Sequence, residues 1–462
     1  MEINPLTTTD AVRNAYLRYL KTIKPFQDEE LRQEFDKAIN SHDLLVKGPL
    51  VQIALPYRKE SSIRELVEEN VLAPGFAQLC SPALPYERML YSHQVRAIRK
   101  AVKGRNLVVS TGTGSGKTEA FLIPILNHLL REEENGTLAQ PGVRAMLLYP
   151  MNALANDQMK RLRRVLRNYR QITFGRYINI DETPDKKSVA QEYFRKTYPD
   201  EPEIDNELKS REEMHATPPH ILLTNYAMLE YLLLRPSASP LFDGETGKHW
   251  RFIVIDEAHV YDGANATEIA MLLRRLQDRV AGDKHGQIQA IATSATLGRG
   301  RPDFGAVAEF ASHLFNKPFV WSEHIEDQQD VIGADPMPIE SLGTVWGQGS
   351  PDLYTTLHEI IDNLSLSPTV RISQLESAAA TAGVPTHILQ QARLAAQKNS
   401  DLVVQCWLYN VLNGDGRLRQ LLEELKAAPS LLHKVANIVF PDATNPGQAL
   451  VDLVALAVMA RT

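Results

Sequence analysis

Two stretches of this chain carry residue types and spacing that could do chemistry, and the first is Thr111-Gly112-Thr113-Gly114-Ser115-Gly116-Lys117-Thr118. Backbone N–H groups of a glycine-rich turn can converge on an anion, and a helix N-terminus adds partial positive charge. Here Thr113, Gly114, Ser115 and Gly116 would line the cradle, Lys117 would reach β- and γ-phosphates, and the Thr118 hydroxyl would ligate Mg²⁺. The strict form of such a loop has glycine where this chain has Thr111. The second stretch is Asp256-Glu257-Ala258-His259, which ends the apolar run from Arg251 to Ile255. Asp256 is expected to hold Mg²⁺ through its water shell, and Glu257 to orient or deprotonate an attacking water. Lys117 and Glu257 are therefore the expected catalytic residues, with ATP and Mg²⁺ as cofactors. His259 is expected to touch the nucleotide or the residues that sense it.

These groups act together only if the chain positions them. The run Asn106-Leu-Val-Val-Ser110 before the octet reads as a strand, and Phe121, Leu122, Ile125, Leu126 and Leu129 after it have helical spacing. Upstream, Leu90 to Ile98 reads as a short helix carrying Gln94. Its amide pairs a donor with an acceptor, which suits the N6/N7 edge of adenine, with Tyr91 or His93 available to stack. Strands are expected at Arg144–Tyr149, His220–Thr224, Arg251–Ile255 and Gln289–Thr293, with helices after Pro150, at Tyr226–Leu234 and at Asn265–Val280. Such alternation places ligands at the carboxyl ends of the strands. Ser294 and Thr296, at the end of the last strand, are expected to hydrogen-bond the acidic pair and relay nucleotide state.

The chain has 462 residues, 44% hydrophobic and 23% charged, with a net charge of -6. That is ordinary for a folded protein of several domains, and it excludes a global attraction to nucleic acid, so any such contact must be local. Seven basic residues (Lys160, Arg161, Arg163, Arg164, Arg167, Arg170 and Arg176) form a stretch with no acid among them. It reads equally as a solvated face or as a track for a phosphodiester backbone. Two cysteines, Cys80 and Cys406, are too few for a disulfide framework and fit a reducing cytoplasm. No apolar run is long enough to span a membrane.

The ordered set Gln94, Thr111–Thr118, Asp256–His259 and Ser294–Thr296 resembles motifs Q, I, II and III of superfamily 2 helicases of the DEAD/DEAH type. The resemblance covers roughly residues 85 to 320, and in that family a threonine is common where Thr111 stands. Tyr149 to Gln158, Phe174-Gly-Arg-Tyr177 and Leu223 to Leu229 are similar to the strand-contacting motifs Ia, Ic and Ib. By that resemblance Asn152, Arg176, Thr224 and Asn225 would contact a nucleic-acid backbone, DNA more than RNA. More narrowly, the chain resembles large bacterial helicases with a C-terminal cysteine cluster, some of which sit in the anti-phage systems Druantia and DISARM, which implies a defence-system partner protein.

The expected architecture is an α/β chain: a RecA-like doubly wound parallel lobe, a mainly helical N-terminal region and a C-terminal all-helical module. The expected boundaries are 1–84 for the accessory region, 85–320 for the lobe with a polar loop insertion at about 181–219, 321–350 for an acidic linker, and 351–462 for the helical module. Between Lys317 and Arg371 there is no lysine or arginine but nine acids, which speaks against a nucleic-acid track there. No second lobe with its arginine finger is recognisable, so the chain is expected to be the N-terminal part of an ATP-dependent helicase or translocase and weakly active alone. The alternative is a one-lobe, nucleotide-gated adaptor or scaffold that docks a partner carrying the second lobe.

Overall fold

The computed structural model describes residues 4–460 apart from 24, 41–46, 54, 80, 282–287, 299, 338–344, 364, 399–401 and 427. Cys80 lies outside the described residues. The chain separates into two compact units, Tyr57–Pro336 and, together, Met1–Pro56 with Met337–Thr462.

The first unit is built on one parallel sheet. Its strands are β1 (Leu107–Ser110), β2 (Ala145–Leu148), β3 (Phe174–Arg176), β4 (Glu207–Leu208), β5 (Ile221–Thr224), β6 (Phe252–Ile255), β7 (Gln289–Ser294) and β8 (Val331–Gly333). They lie in the order 8-1-7-6-2-5-3-4, every neighbouring pair parallel. All-parallel strands are buried on both faces, which is why these segments are continuous apolar runs rather than alternating ones. Leu107 and Val109 face one core layer and Val108 the other. The first layer is closed by α1 (Ser92–Val102), α2 (Lys117–Glu134) and α3 (Asn152–Leu166). After α4 (Lys187–Thr197) and α5 (Arg211–Ala216), the second layer is closed by α6 (Tyr226–Leu234), α7 (Gly263–Ala281) and α8 (Phe304–Phe315). Helices on both faces of a parallel sheet make this the doubly wound, RecA-like α/β lobe.

The units divide the chain differently from the boundaries drawn at residues 84 and 320. Residues 57–84 belong to the lobe because Ile63, Leu66, Leu72, Phe76 and Leu79 are buried in the same core layer as α1 to α3. Ser62 starts their short helix with a capping box, accepting from the Glu65 N–H while Glu65 accepts from the Ser62 N–H. At the other boundary, β8 continues the sheet beyond β1, and buried Asp330 receives both Arg105 Nη2 (2.7 Å) and Arg105 Nε (3.0 Å). The segment expected as a linker thus supplies an edge strand. The region at 181–219, expected as a loop insertion, holds α4, β4 and α5, and β4 pairs with β3 at the sheet edge.

In the second unit, helices span Pro351–Asp362, Pro368–Thr381, Thr386–Lys398, Val403–Leu412, Gly416–Leu425, Leu432–Val439 and Pro446–Met459. They bury Tyr354, Trp407 and Phe440, and Cys406 is a buried free thiol. Leu50–Val51 pairs antiparallel with Ser430–Leu431, so residues before 57 fold with this unit.

Candidate nucleotide site and nucleic-acid face

The loop from Thr111 to Gly116 leaves the carboxyl end of β1 and delivers Lys117 as the first residue of α2. Gly114 (φ 76°) and Gly116 (φ 72°) occupy the left-handed region, which lets the backbone fold back on itself. Thr111, the residue that departs from glycine, is buried, and its hydroxyl lies 2.6 Å from that of Ser115 across the loop. The loop's shape is therefore held by its own side chains.

Gln94 is placed differently from the expected adenine contact. It is fully buried; its Oε1 accepts from the Tyr91 N–H (2.8 Å) and its Nε2 donates to the Gly116 carbonyl (2.9 Å). His93 beside it donates from Nε2 to the Ser115 carbonyl (2.9 Å), and burial lowers its pKa so that the ring stays neutral. Both residues brace the loop from behind instead of presenting an edge to a base. Tyr91 stacks on His93, and Tyr57 meets both rings edge-on. A Cβ built on Gly112 would lie 3.1 Å from the Tyr57 hydroxyl, so Tyr57 stands at the loop's outer side. Sequence reasoning assigned Tyr57 to a different region and missed it; an aromatic in an isolated polar segment gave no signal.

Lys117 reaches back across the loop mouth, its Nζ 3.3 Å from the Thr111 carbonyl and 3.6 Å from Glu257 Oε1. The glycine loop and the acid pair therefore share one crevice. They sit at the ends of β1 and β6, and β7 lies between those strands. Register puts Ala292 opposite Ile255, so the next residue, Thr293, comes level with Asp256. Its hydroxyl donates to Asp256 Oδ1, and the Glu257 N–H approaches both Asp256 Oδ1 (3.2 Å) and Thr293 Oγ1 (3.4 Å). Thr293 is thus the group that holds the acid pair, where Ser294 and Thr296 were expected.

Ser294 instead faces His259, with Oγ 3.2 Å from Nδ1, and caps the next turn by accepting from the Thr296 and Leu297 N–H groups. His259 Nδ1 also lies 3.3 Å from Glu257 Oε2, linking Ser294 to the acid pair at one remove. Thr296 is exposed and contributes its backbone N–H to this turn. Glu257 has φ 53°, an unfavourable conformation for a residue with a Cβ, held here by the bonds on its N–H and on Asp256.

Burial raises the pKa of Asp256 from its ordinary value, and the Glu257 charge adds to it; the Thr293 hydroxyl and Lys117 act against this. A divalent cation would restore the favourable charge balance. Thr118 Oγ1 accepts weakly from Gln158 Nε2 (3.4 Å) at the start of α2. Among the described residues no group of three or more His, Cys, Asp or Glu side chains is arranged to hold a metal ion by itself. The donor set fits Mg²⁺ held by a hydroxyl, one carboxylate, substrate phosphates and water, the usual mode for this ion.

One further residue was missed. Glu119, buried in the first turn of α2, takes Arg161 (2.7 Å) and Arg88 (3.0 Å) on the same oxygen, tying the loop helix to α3 and to the segment before α1. The signal was present as an acid two residues after the lysine, but tertiary pairing alone gives it meaning.

Three of the four residues expected at a nucleic-acid strand come together at the carboxyl ends of β2, β3 and β5. Asn225 caps α6, accepting from the Met228 N–H (2.8 Å), and donates to Asn152 Oδ1 (2.9 Å). Asn152 donates to Glu182 Oε1 (3.1 Å), and Arg176 Nη1 lies 3.2 Å from Glu182 Oε2. Thr224 is the exception. It is fully buried and its hydroxyl donates to the Tyr177 carbonyl (2.7 Å), so it supports the face from below.

The basic stretch is not unopposed in three dimensions. Arg163 is buried, forms a two-point pair with Glu207 (2.7 and 2.8 Å), and lies over the rings of Phe194 and Tyr198. Arg161 meets Glu119, Arg164 approaches Glu201 (3.8 Å), and Arg170 pairs with Asp205 (3.0 Å). Most of these partners come from residues 181–219, so that region supplies the acids that meet much of the stretch.

Residues 91–303 match the family model of the DEAD/DEAH box helicase. The likeness to a DEAD/DEAH box helicase domain thus covers just under half of the chain. Among curated relatives, the chain is 29% identical over 367 residues to the Druantia protein DruE of Escherichia coli (strain UMEA 4076-1), covering 61% of this chain and 20% of that protein. It is 28% identical over 230 residues to the uncharacterized ATP-dependent helicase MJ1574 of Methanocaldococcus jannaschii, covering 50% of this chain and 28% of that one. The chain thus spans less than a third of the length of these relatives. A crystal structure of the DUF1998 helicase MrfA bound to DNA aligns over 80% of this chain and 48% of its own, at 17% identity and a TM-score of 0.42. Among the described residues, no helix is long and apolar enough to cross a membrane.

Proposed function

We propose that this chain is the N-terminal motor portion of an ATP-dependent nucleic-acid helicase or translocase. The observation that carries the reading is the 3.6 Å approach of Lys117 to Glu257, which puts the phosphate-binding loop and the acid pair on one crevice. In this reading the loop amides and Lys117 hold the triphosphate, and Thr118 and Asp256 hold Mg²⁺. The bound ion supplies charge neutralisation of the phosphates. Glu257, its backbone fixed by Asp256 and Thr293, orients and deprotonates water; His259 and Ser294 carry the state of that carboxylate to the turn after β7.

Nucleic acid, DNA in preference to RNA, is the proposed track, supported by the convergence of Asn152, Arg176 and Asn225 on one edge. A role in anti-phage defence, with a partner protein of that system, is proposed on the likeness to DruE alone. The cytoplasm is the proposed compartment, where the Cys406 thiol stays reduced. Where an arginine finger is used, its loss lowers turnover by about 10³ to 10⁵, so this chain by itself is expected to hydrolyse ATP poorly.

The test is a pair of variants. Lys117→Ala is expected to lose binding of a fluorescent ATP analogue, and Glu257→Gln to keep that binding while abolishing turnover in the longer protein. Unchanged analogue affinity in Lys117→Ala, or unchanged turnover in Glu257→Gln, refutes the reading.

A further inference from the structure

The polar cluster at the ends of β2, β3 and β5 is arranged around a single carboxylate. Glu182 Oε1 accepts from Asn152 (3.1 Å) and Asn179 (3.3 Å); Oε2 accepts from Asn156 (3.2 Å) and faces Arg176 Nη1 (3.2 Å). The amide orientations follow from one another. Asn225 Oδ1 is used as the α6 cap, so its Nδ2 must point to Asn152 Oδ1, which leaves the Asn152 Nδ2 aimed at Glu182. Asn152, Asn156 and Arg176 therefore present donors alone to this point, from two elements that the sheet fixes. Donors with one monoanion between them suit any anion with two free oxygens, and a phosphodiester has that chemistry.

The backbone beneath is anchored independently of the carboxylate. Thr183 is buried and donates to the Arg176 carbonyl (2.9 Å), and Arg176 Nη2 donates to the Glu182 carbonyl (3.1 Å). The Glu182 side chain can turn away while Arg176 stays in place. On either side the chain exposes Met151 (62%) and Tyr226 (44%), the residues next to Asn152 and Asn225. Exposed apolar side chains beside an anion seat suit bases of a strand better than a free ion, since every base has a face that can stack.

We infer that Asn152, Asn156 and Arg176 form a seat for one phosphodiester group of a nucleic-acid strand, and that Glu182 is the chain's own occupant of that seat, displaced when the strand binds. The inference rests on the nucleic-acid reading above and adds an internal competitor to it. It makes Glu182 a residue that weakens binding and discriminates against strands unable to displace it.

The experiment measures binding of a short single-stranded oligothymidylate to the 462-residue chain and to its Glu182→Ala and Glu182→Gln variants across a salt series, with melting temperature as the folding control. Removing a competing, partly exposed carboxylate is expected to tighten binding about two- to fivefold. It should also steepen the log–log salt slope by up to ~0.7, because Arg176 then arrives unneutralised. Adding Arg176→Ala to either variant should abolish the gain. If Glu182→Ala proves unfolded, Glu182→Gln, which keeps the shape, carries the test. Binding that is unchanged or weaker in a folded variant overturns the inference and leaves the nucleic-acid reading intact. Absence of binding by the parent chain and both variants at low salt overturns both. Binding of inorganic phosphate that tightens in the Glu182 variants while their oligothymidylate affinity stays at the parent's assigns the seat to a free ion and overturns the strand as its ligand.

Discussion

Gly116→Ala probes the brace behind the phosphate loop, and its effect can be worked from geometry. A Cβ at this position would lie 2.3 Å from Gln94 Nε2 and 2.9 Å from Glu119 Oε2, in a backbone at φ 72°. The left-handed conformation costs an alanine ~1–2 kcal/mol. Relieving the contact moves the Gln94 amide off the Gly116 carbonyl, and an unpaired buried polar group costs a further ~1–3 kcal/mol. Gly114→Ala is the matched control, since Gly114 has φ 76° and nothing within 4 Å of a built Cβ, so it meets the conformational cost alone. The gap between the two variants is the contribution of the brace. At about 2–4 °C per kcal/mol for a domain of this size, their melting temperatures should differ by at least ~2 °C, with Gly116→Ala lower. A fluorescent ATP analogue should bind Gly116→Ala more weakly than Gly114→Ala. Gln94→Ala should remove much of the difference, because the displaced amide is then gone. Equal melting and equal analogue affinity for the two glycine variants would refute the brace and return Gln94 to a direct role at the base.

Arg163→Ala should destabilise the lobe by ~3–5 kcal/mol in a denaturant titration, because it leaves buried Glu207 without its partner. Exposed Arg167→Ala should leave stability within about 0.5 kcal/mol of the parent, and similar titrations for both would overturn the assignment of Arg163 as structural. His220 gives a pH dependence. Burial, with nearby Arg144, lowers its pKa to about 4, and its Nδ1 accepts from the Thr173 N–H. The folded state thus prefers the neutral ring, so stability is present above the unfolded value near ~6.5 and falls by roughly 3 kcal/mol as pH drops towards 4. His220→Asn, which keeps an acceptor and does not titrate, should flatten that part of the stability–pH curve; an unchanged slope would exclude His220 as its source.

Much of the lobe was legible because its determinants are local. A parallel strand buried on both faces must be continuously apolar, so β1, β2, β5, β6 and β7 stood out as runs. The glycine octet announced its turn, because positive φ at Gly114 and Gly116 is a requirement that residue type reveals. β8 and β4 were less visible: three and two residues long, they carry too little periodicity to separate them from loop. The seven basic residues were misleading for a related reason. Charge along the chain is visible, but the acids that meet it come from elsewhere, as Glu207 does for Arg163 and Glu119 for Arg161.

The sequence by itself determined which residues can bind phosphate and metal, since loop glycines, a lysine and paired acids are chemical types that no packing can substitute. Tertiary structure decided which side chains hold those residues in place. Strand order set β7 between β1 and β6 and its register put Thr293, not Ser294, level with Asp256. Packing of α1 behind the loop turned the Gln94 amide onto the Gly116 carbonyl. Hydrogen bonds of this kind depend on distances between segments far apart in the chain, and only the folded arrangement of the sheet fixes those distances.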